Sequence, residues 1–327
     1  MTLQDRNAGN AGDQLKHALL TEVLARLPAD APWRYAETHA GAGAYRSPHA
    51  PELFRAAWAA CGPPPTQGSA DVEWIGGVYA TSLCRWWLRQ VGMAELPPTR
   101  VATTALTDVT YPGSAALVAI SGLIHGEMVL AESDAKSMVR LQRTLSDVSP
   151  PEHGHGPDGV SLPCRRAHYR EGSFEESMSE IAGTGRSVLL IDPYYYDSQA
   201  TDGAGGRLGQ RHLTLLLGPQ EGRDAVAVIF ASHRPRASLT VGEADRLRDG
   251  TWAELVGDMR HLAPPALRCF RVHETAHAVV VAGWGAGAGL VVSLPSPAVW
   301  QDSWLAQSAV GLQVVEEETA ERGGPRT

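Results

Sequence analysis

The stretch SVLLIDPYYYD, residues 187–197, runs four apolar residues into an acid, a proline and three tyrosines. An apolar run bounded by a turn reads as a buried parallel strand. The polar cluster then lies at its carboxyl end, where open α/β sheets bind ligands. Asp192 and the Pro193 carbonyl can accept the two N–H bonds of a planar amine while a tyrosine ring stacks on its heterocycle. Drawing on both N–H groups returns lone-pair density to nitrogen, which can then attack an electrophilic methyl group. The gain comes from positioning and from preorganised acceptors. The competing reading is a loop whose tyrosines merely pack.

Two further stretches carry chemistry. In ETHAGAGAY (37–45), Gly41 and Gly43 follow a short strand and let backbone approach a ligand that side chains would keep away. The alternative is an ordinary tight turn. MVLAES (128–133) places Glu132 at a strand tip, the usual acceptor for ribose hydroxyls, although a solvated strand-end charge looks the same. HETAH (273–277) matches a zinc-protease pattern that works on a helix. Its flanks LRCFRV and AVVVAG are strand-like, and along a strand its two histidines stand about 13 Å apart, too far for one metal ion. The histidines of HGHG (153–156) belong to a long surface connection, and no metal is expected.

These residues need a sheet to hold them. At 327 residues the chain can bury one full α/β core. WRYAET (33–38), MVLAES, CRRAHYR (164–170), SVLLID and DAVAVIFAS (224–232) read as parallel strands, with helical stretches such as DAKSMVRLQRTL and SFEESMSEIAG between them. GDQLKHALLTEVLARL (12–27) reads as an amphipathic helix. Residues 46–112 read as a helical insertion within a single domain, with Trp86 and Trp87 at least partly buried in it. LRCFRVHETAHAVVVAGWGAGAGLVVSLP reads as two strands joined by a Gly-rich hairpin. A mostly parallel sheet ending in an antiparallel hairpin is the class I methyltransferase variant of the Rossmann-like fold. No apolar run reaches the length of a membrane span, and the polar start has no signal-peptide core, so a cytoplasmic protein is expected. The four cysteines have no paired spacing, and reduced thiols are the plain reading. A net charge of −8 argues against broad, sequence-independent nucleic-acid binding but leaves room for a local basic patch.

In order along the chain, AGNAGDQLKH (8–17), YAETHAGAGAY (35–45), YPGSAALVA (111–119), LAES (130–133), REGSFEE (170–176) and LLIDPYYYD (189–197) resemble one family, the 23S ribosomal RNA adenine-N6 methyltransferases of the RlmJ type. The resemblance implies S-adenosyl-L-methionine as methyl donor and the amino group of an RNA adenine as acceptor. It implies that His17, His39 and Ser114 line the donor pocket together with Gly41 and Gly43. Glu132 would hold the ribose, and Glu171 with Gly172 would flank the adenine. Asp192, Pro193 and Tyr195 would carry the reaction. Three positions depart from the family: Glu171 replaces an aspartate, Tyr194 replaces the second proline of Asp-Pro-Pro-Tyr, and TLQDRN replaces an N-terminal arm that touches RNA. The alternatives are N-methylation of a small amine or nucleoside-like metabolite, or a silent protein that binds the donor or RNA without catalysis.

Overall fold

The structure, a computed structural model, describes residues 8–28, 31–61, 77–90, 109–124, 126–148, 167–183, 185–193, 195–200, 207–218, 223–231, 241–272, 277–296, 300, 303–305 and 314–317. Five strands pair in parallel in the order β5 (Ala167–Glu171), β4 (Met128–Glu132), β1 (Arg34–Glu37), β6 (Ser187–Ile191) and β9 (Ala225–Ala231). β11 (Ala278–Trp284) joins β9 antiparallel, β10 (Ala266–Val272) lies outside β11, and β12 (Val314–Glu317) completes an eight-stranded sheet.

The central strands are apolar on both sides because helices cover both faces of the sheet. Strand alternation divides the core in two. Tyr35, Leu130, Val188, Leu190 and Val228 point to one cluster; Ala36, Val129, Leu189, Ile191 and Ile229 point to the other. The first face carries α1 (Ala11–Ala25), α2 (Ala50–Ala60), α3 (Gly77–Gln90), α4 (Ser114–Ser121) and α5 (Ala135–Val148). The second carries α6 (Met178–Ala182), α7 (Gln210–Leu217) and α8 (Val241–His261).

Two expectations change. α1 is not amphipathic in the surface sense: from Ala11 to Leu24 every residue but Asp13 is buried, Lys16 and His17 included. Its polar side faces the interior because that side builds the site. The Gly-rich GAGAGL does not turn the hairpin either. β10 and β11 are joined through the segment around HETAH, with the Val272 N–H donating to the His277 carbonyl at 3.1 Å, while residues 286–292 form a short helix, α9 (Ala286–Val292). His273 lies outside the described residues, which hold no cluster of metal-binding side chains.

Within residues 46–112, α2 and α3 pack on each other, and α3 packs on α1 and α4. Trp87 is fully buried and Trp86 nearly so; their indole N–H groups both donate to the Thr110 carbonyl, at 3.1 and 2.8 Å. Among the described residues no helix is long and apolar enough to cross a membrane.

Candidate functional site at the carboxyl ends of the parallel strands

Glu37, Glu132 and Asp192 lie at or just past the ends of β1, β4 and β6, and their side chains point to the face covered by α1 to α5. β1 is the point where strand order reverses: the chain leaves it toward β4 on one side and β6 on the other. A crevice at such a switch point is where this sheet type binds ligands.

The loop after β1 is held by its own contacts. Gly41 and Gly43 both adopt left-handed backbone, φ 62° and 74°. The Gly41 N–H donates to Glu132 Oε2 at 2.8 Å, and the Asp134 N–H donates to Oε1 at 2.8 Å. Each carboxylate oxygen keeps a lone pair, so Glu132 can clasp the loop and still accept from a ribose. A side chain on Gly41 would collide with the Tyr45 hydroxyl, and one on Gly43 would press on Leu141 and Thr144 of α5 at 3.0–3.2 Å. The glycines are therefore required by neighbours and backbone, in addition to any ligand they admit.

Asp192 is bound in a way the sequence did not announce. Lys16, buried on α1, donates to Asp192 Oδ2 at 2.6 Å and to Asp13 Oδ1 at 2.9 Å, with its Nζ 5.1 Å from the centre of the Phe230 ring. Burial disfavours the ammonium, but the two carboxylates outweigh it and raise the Lys16 pKa. Burial pushes the Asp192 carboxyl up, with Lys16 opposing it. The Asp192 backbone N–H lies 3.4 Å from Thr38 Oγ1, and Oδ1 is left without a partner among the described residues. Pro193 is buried directly after it.

Beneath this pair lies a buried polar network. Glu37 accepts from Tyr35 Oη at 2.9 Å and from Ser114 Oγ; burial pushes its carboxyl up to about 8, with both hydrogen bonds opposing. His17 Nδ1 lies 2.6 Å from Tyr111 Oη, which lies 2.9 Å from Tyr79 Oη of α3. Burial, followed by the Lys16 charge, holds the His17 imidazole down to about 3, so it is neutral. Its Nε2 is buried with no partner among the described residues. If Tyr111 donates to Nδ1, the neutral ring carries its proton on Nε2 and can donate there; in the other tautomer Nε2 is an acceptor. His39 lies just past β1, bonded to Thr38 Oγ1 at 2.8 Å and 5.0 Å from the Phe174 ring centre; burial holds it down to about 4.

Other expected residues stand farther out. Glu171 ends β5 opposite Glu132 but is exposed, and Gly172, φ 133°, donates its N–H to the Glu132 carbonyl at 3.2 Å. Tyr195 lies in β7 (Tyr195–Tyr196), which pairs with β8 (Arg207–Leu208). Tyr196 is buried on the opposite face and donates to Asp258 of α8, so one of the three tyrosines packs. Tyr194 lies outside the described residues. Lys16, Asp13, Glu37 and Tyr111 were not singled out by sequence reasoning. Their one signal was position: Lys16 precedes His17, Glu37 precedes the Gly-rich loop, and Tyr111 opens YPGS.

The sheet order, the antiparallel β11 beside β9 and the helices on both faces make this a Rossmann-like α/β protein of the class I methyltransferase fold. No protein-family model matches the chain, and no curated protein matches it. Among solved structures it is similar to protein LPL1258 from Legionella pneumophila, described with the family model DUF519. The two are 15% identical, with a TM-score of 0.54 over 96% of this chain and 99% of that one. At that identity the similarity is one of fold.

Proposed function

We propose that the chain is an S-adenosylmethionine-dependent N-methyltransferase whose acceptor is the exocyclic amino group of an adenine in RNA, ribosomal RNA foremost. The observation that carries the reading is Asp192 with one carboxylate oxygen pinned by Lys16 and the other open, directly before Pro193 and beside the Gly41–Glu132 clasp. The residues present fit the donor: Glu132 has lone pairs for ribose hydroxyls, and His17, when Tyr111 donates to its Nδ1, offers a buried donor suited to a carboxylate. S-adenosylmethionine supplies an electrophilic methyl group when bound there. Asp192 Oδ1 and the Pro193 carbonyl accept the two amine N–H bonds and aim the nitrogen lone pair. Lys16 balances the Asp192 charge, which favours Asp192 as an orienting acceptor over a strong base.

Support for an RNA acceptor comes from charge on the helices that cover the same face of the sheet as the site. α2, α3 and α5 expose Arg55, Arg85, Arg89, Lys136, Arg140 and Arg143 against Glu52 and Asp147. Such a surface suits phosphates, while the target base must be splayed out to reach Asp192. The changed motif, Tyr194 for proline, favours the second reading, a small amine acceptor.

Incubation of the protein with isotopically labelled donor and ribosomal RNA, followed by nucleoside mass spectrometry, should yield labelled N6-methyladenosine. Label in small amines but never in RNA would give the second reading its place. Tyr194→Pro restores the family motif and should preserve or raise activity on RNA adenine; loss of activity would mean a loop shaped for another amine.

A further inference from the structure

We propose that Cys61 and Cys84 are a peroxide-sensitive dithiol, a reversible modification site that joins the two helices inserted between β2 (Ala44–Tyr45) and its antiparallel partner β3 (Tyr111–Pro112). Cys61 is the cap residue at the carboxyl end of α2 and is partly exposed; Cys84 lies inside α3 and is buried. Their sulfurs are 3.5 Å apart, with the Cys84 thiol donating to the Cys61 sulfur. A disulfide needs about 2.05 Å, so the sulfurs must close by roughly 1.5 Å, within reach of side-chain rotation at a helix cap. Twenty-two residues separate the two cysteines in sequence, which is why no spacing rule flags the pair.

The neighbourhood divides the roles. Cys61 has the Thr81 hydroxyl 4.0 Å away and the positive Arg85 nearby. The hydrogen bond from Cys84 lowers the Cys61 pKa against the effect of burial, whereas that bond and burial raise Cys84. Thiolate character and access select the attacking sulfur. The Cys61 thiolate attacks a hydroperoxide, the O–O bond breaks, and Cys61 becomes a sulfenic acid as the peroxide leaves as water or an alcohol. The Cys84 sulfur then displaces water from it, giving the disulfide. Two thiols lose two electrons and two protons, and one hydrogen peroxide becomes two waters. A thiol reductant reverses the change. The third described cysteine, Cys269, is buried in β10. The bond would fix α3, whose Tyr79 reaches His17 through Tyr111.

Reduced full-length protein is treated with about one equivalent of hydrogen peroxide, alkylated, and mapped without reduction. The expected product is a peptide linking Cys61 to Cys84, with the free-thiol count falling from four to two and restored by dithiothreitol. In Cys84→Ser the reaction should stop at a sulfenic acid on Cys61, trapped by dimedone; this variant leaves the exposed thiol in place should Cys61→Ser fold poorly. Alkylation of both thiols after peroxide, or dimedone label on Cys164 or Cys269 instead of Cys61, overturns the proposal. Neither readout depends on methyl transfer.

Discussion

On one side of the sheet, α2, α3 and α5 expose Arg55, Arg89 and Arg143 with few acids between them; on the other, α7, α8 and the segments around α6 expose Glu176, Glu180, Asp249 and Glu254 interspersed with Arg211 and Arg260. Both sides bury an apolar core against the same strands, the site side with more of the large aromatics, Trp33, Tyr35, Tyr79, Trp87 and Tyr111 among them. Folding therefore does not explain the difference. What distinguishes the basic side is that Glu37, Glu132 and Asp192 point toward it, so charge follows the site and not the architecture. A net charge of −8 counts the whole chain and does not report how charge is divided between the two sides.

The comparison can be broken first at its centre. Asp192→Asn keeps the shape but replaces a charged acceptor with an amide that also donates. Turnover should fall on the order of a hundredfold or more, while calorimetric donor affinity stays near wild type. Equal turnover would remove Asp192 from the reaction. Tyr195→Ala should instead weaken acceptor binding by about 1–3 kcal/mol of lost stacking.

A matched pair of charge reversals sharpens the contrast between faces. Arg55→Glu with Arg143→Glu should weaken RNA binding about tenfold at moderate salt and flatten the slope of log affinity against log salt by about 2. Arg211→Glu with Arg260→Glu makes the same net change on the acidic side, where both side chains are exposed. Binding that drops equally in both variants would mean that overall charge, and no particular face, attracts the RNA.

Stability should report the buried network of the site side. Lys16→Met leaves the half-buried carboxylates of Asp13 and Asp192 facing each other without their cation and should cost about 2 kcal/mol in chemical denaturation, less than for a fully buried pair. The pH profile is gentler. His17 and His39, held down to about 3 and 4, bind fewer protons folded than unfolded, so their stabilisation is full above about 6.5 and fades as pH falls. Glu37, raised to about 8, binds more protons folded, so stability is lost as pH rises from its unfolded value toward 8. Two rising contributions against one falling one give a maximum near pH 6.5. Glu37→Gln should erase the decline between 6.5 and 8; a decline that persists would place its cause elsewhere.

Much of this was legible in the sequence. β4, β6 and β9 announce themselves as apolar runs, and Glu132 and Asp192 as the acids that end two of them. The ion pair at Asp192 was not legible, because it joins residues 176 positions apart through the rotation of α1 against the sheet. Cys61 and Cys84 escaped for the same reason. GAGAGL misled because glycine marks turns but also permits close backbone approach. A side chain on Gly283 would meet the Gly287 carbonyl at 2.5 Å, so these glycines let α9 lie against the end of β11.

β12 pairs with β10 over Cys269–Val272 at the end of the sheet. Shortened chains that stop before Val314 would leave that row of β10 amide and carbonyl groups without its strand. An uncovered rim of this kind is a template for a second copy of the same strand. Such chains should associate edge to edge as concentration rises, with light scattering increasing while the full-length protein remains unchanged. The last strand, remote from Asp192, would then act as a guard against polymerisation.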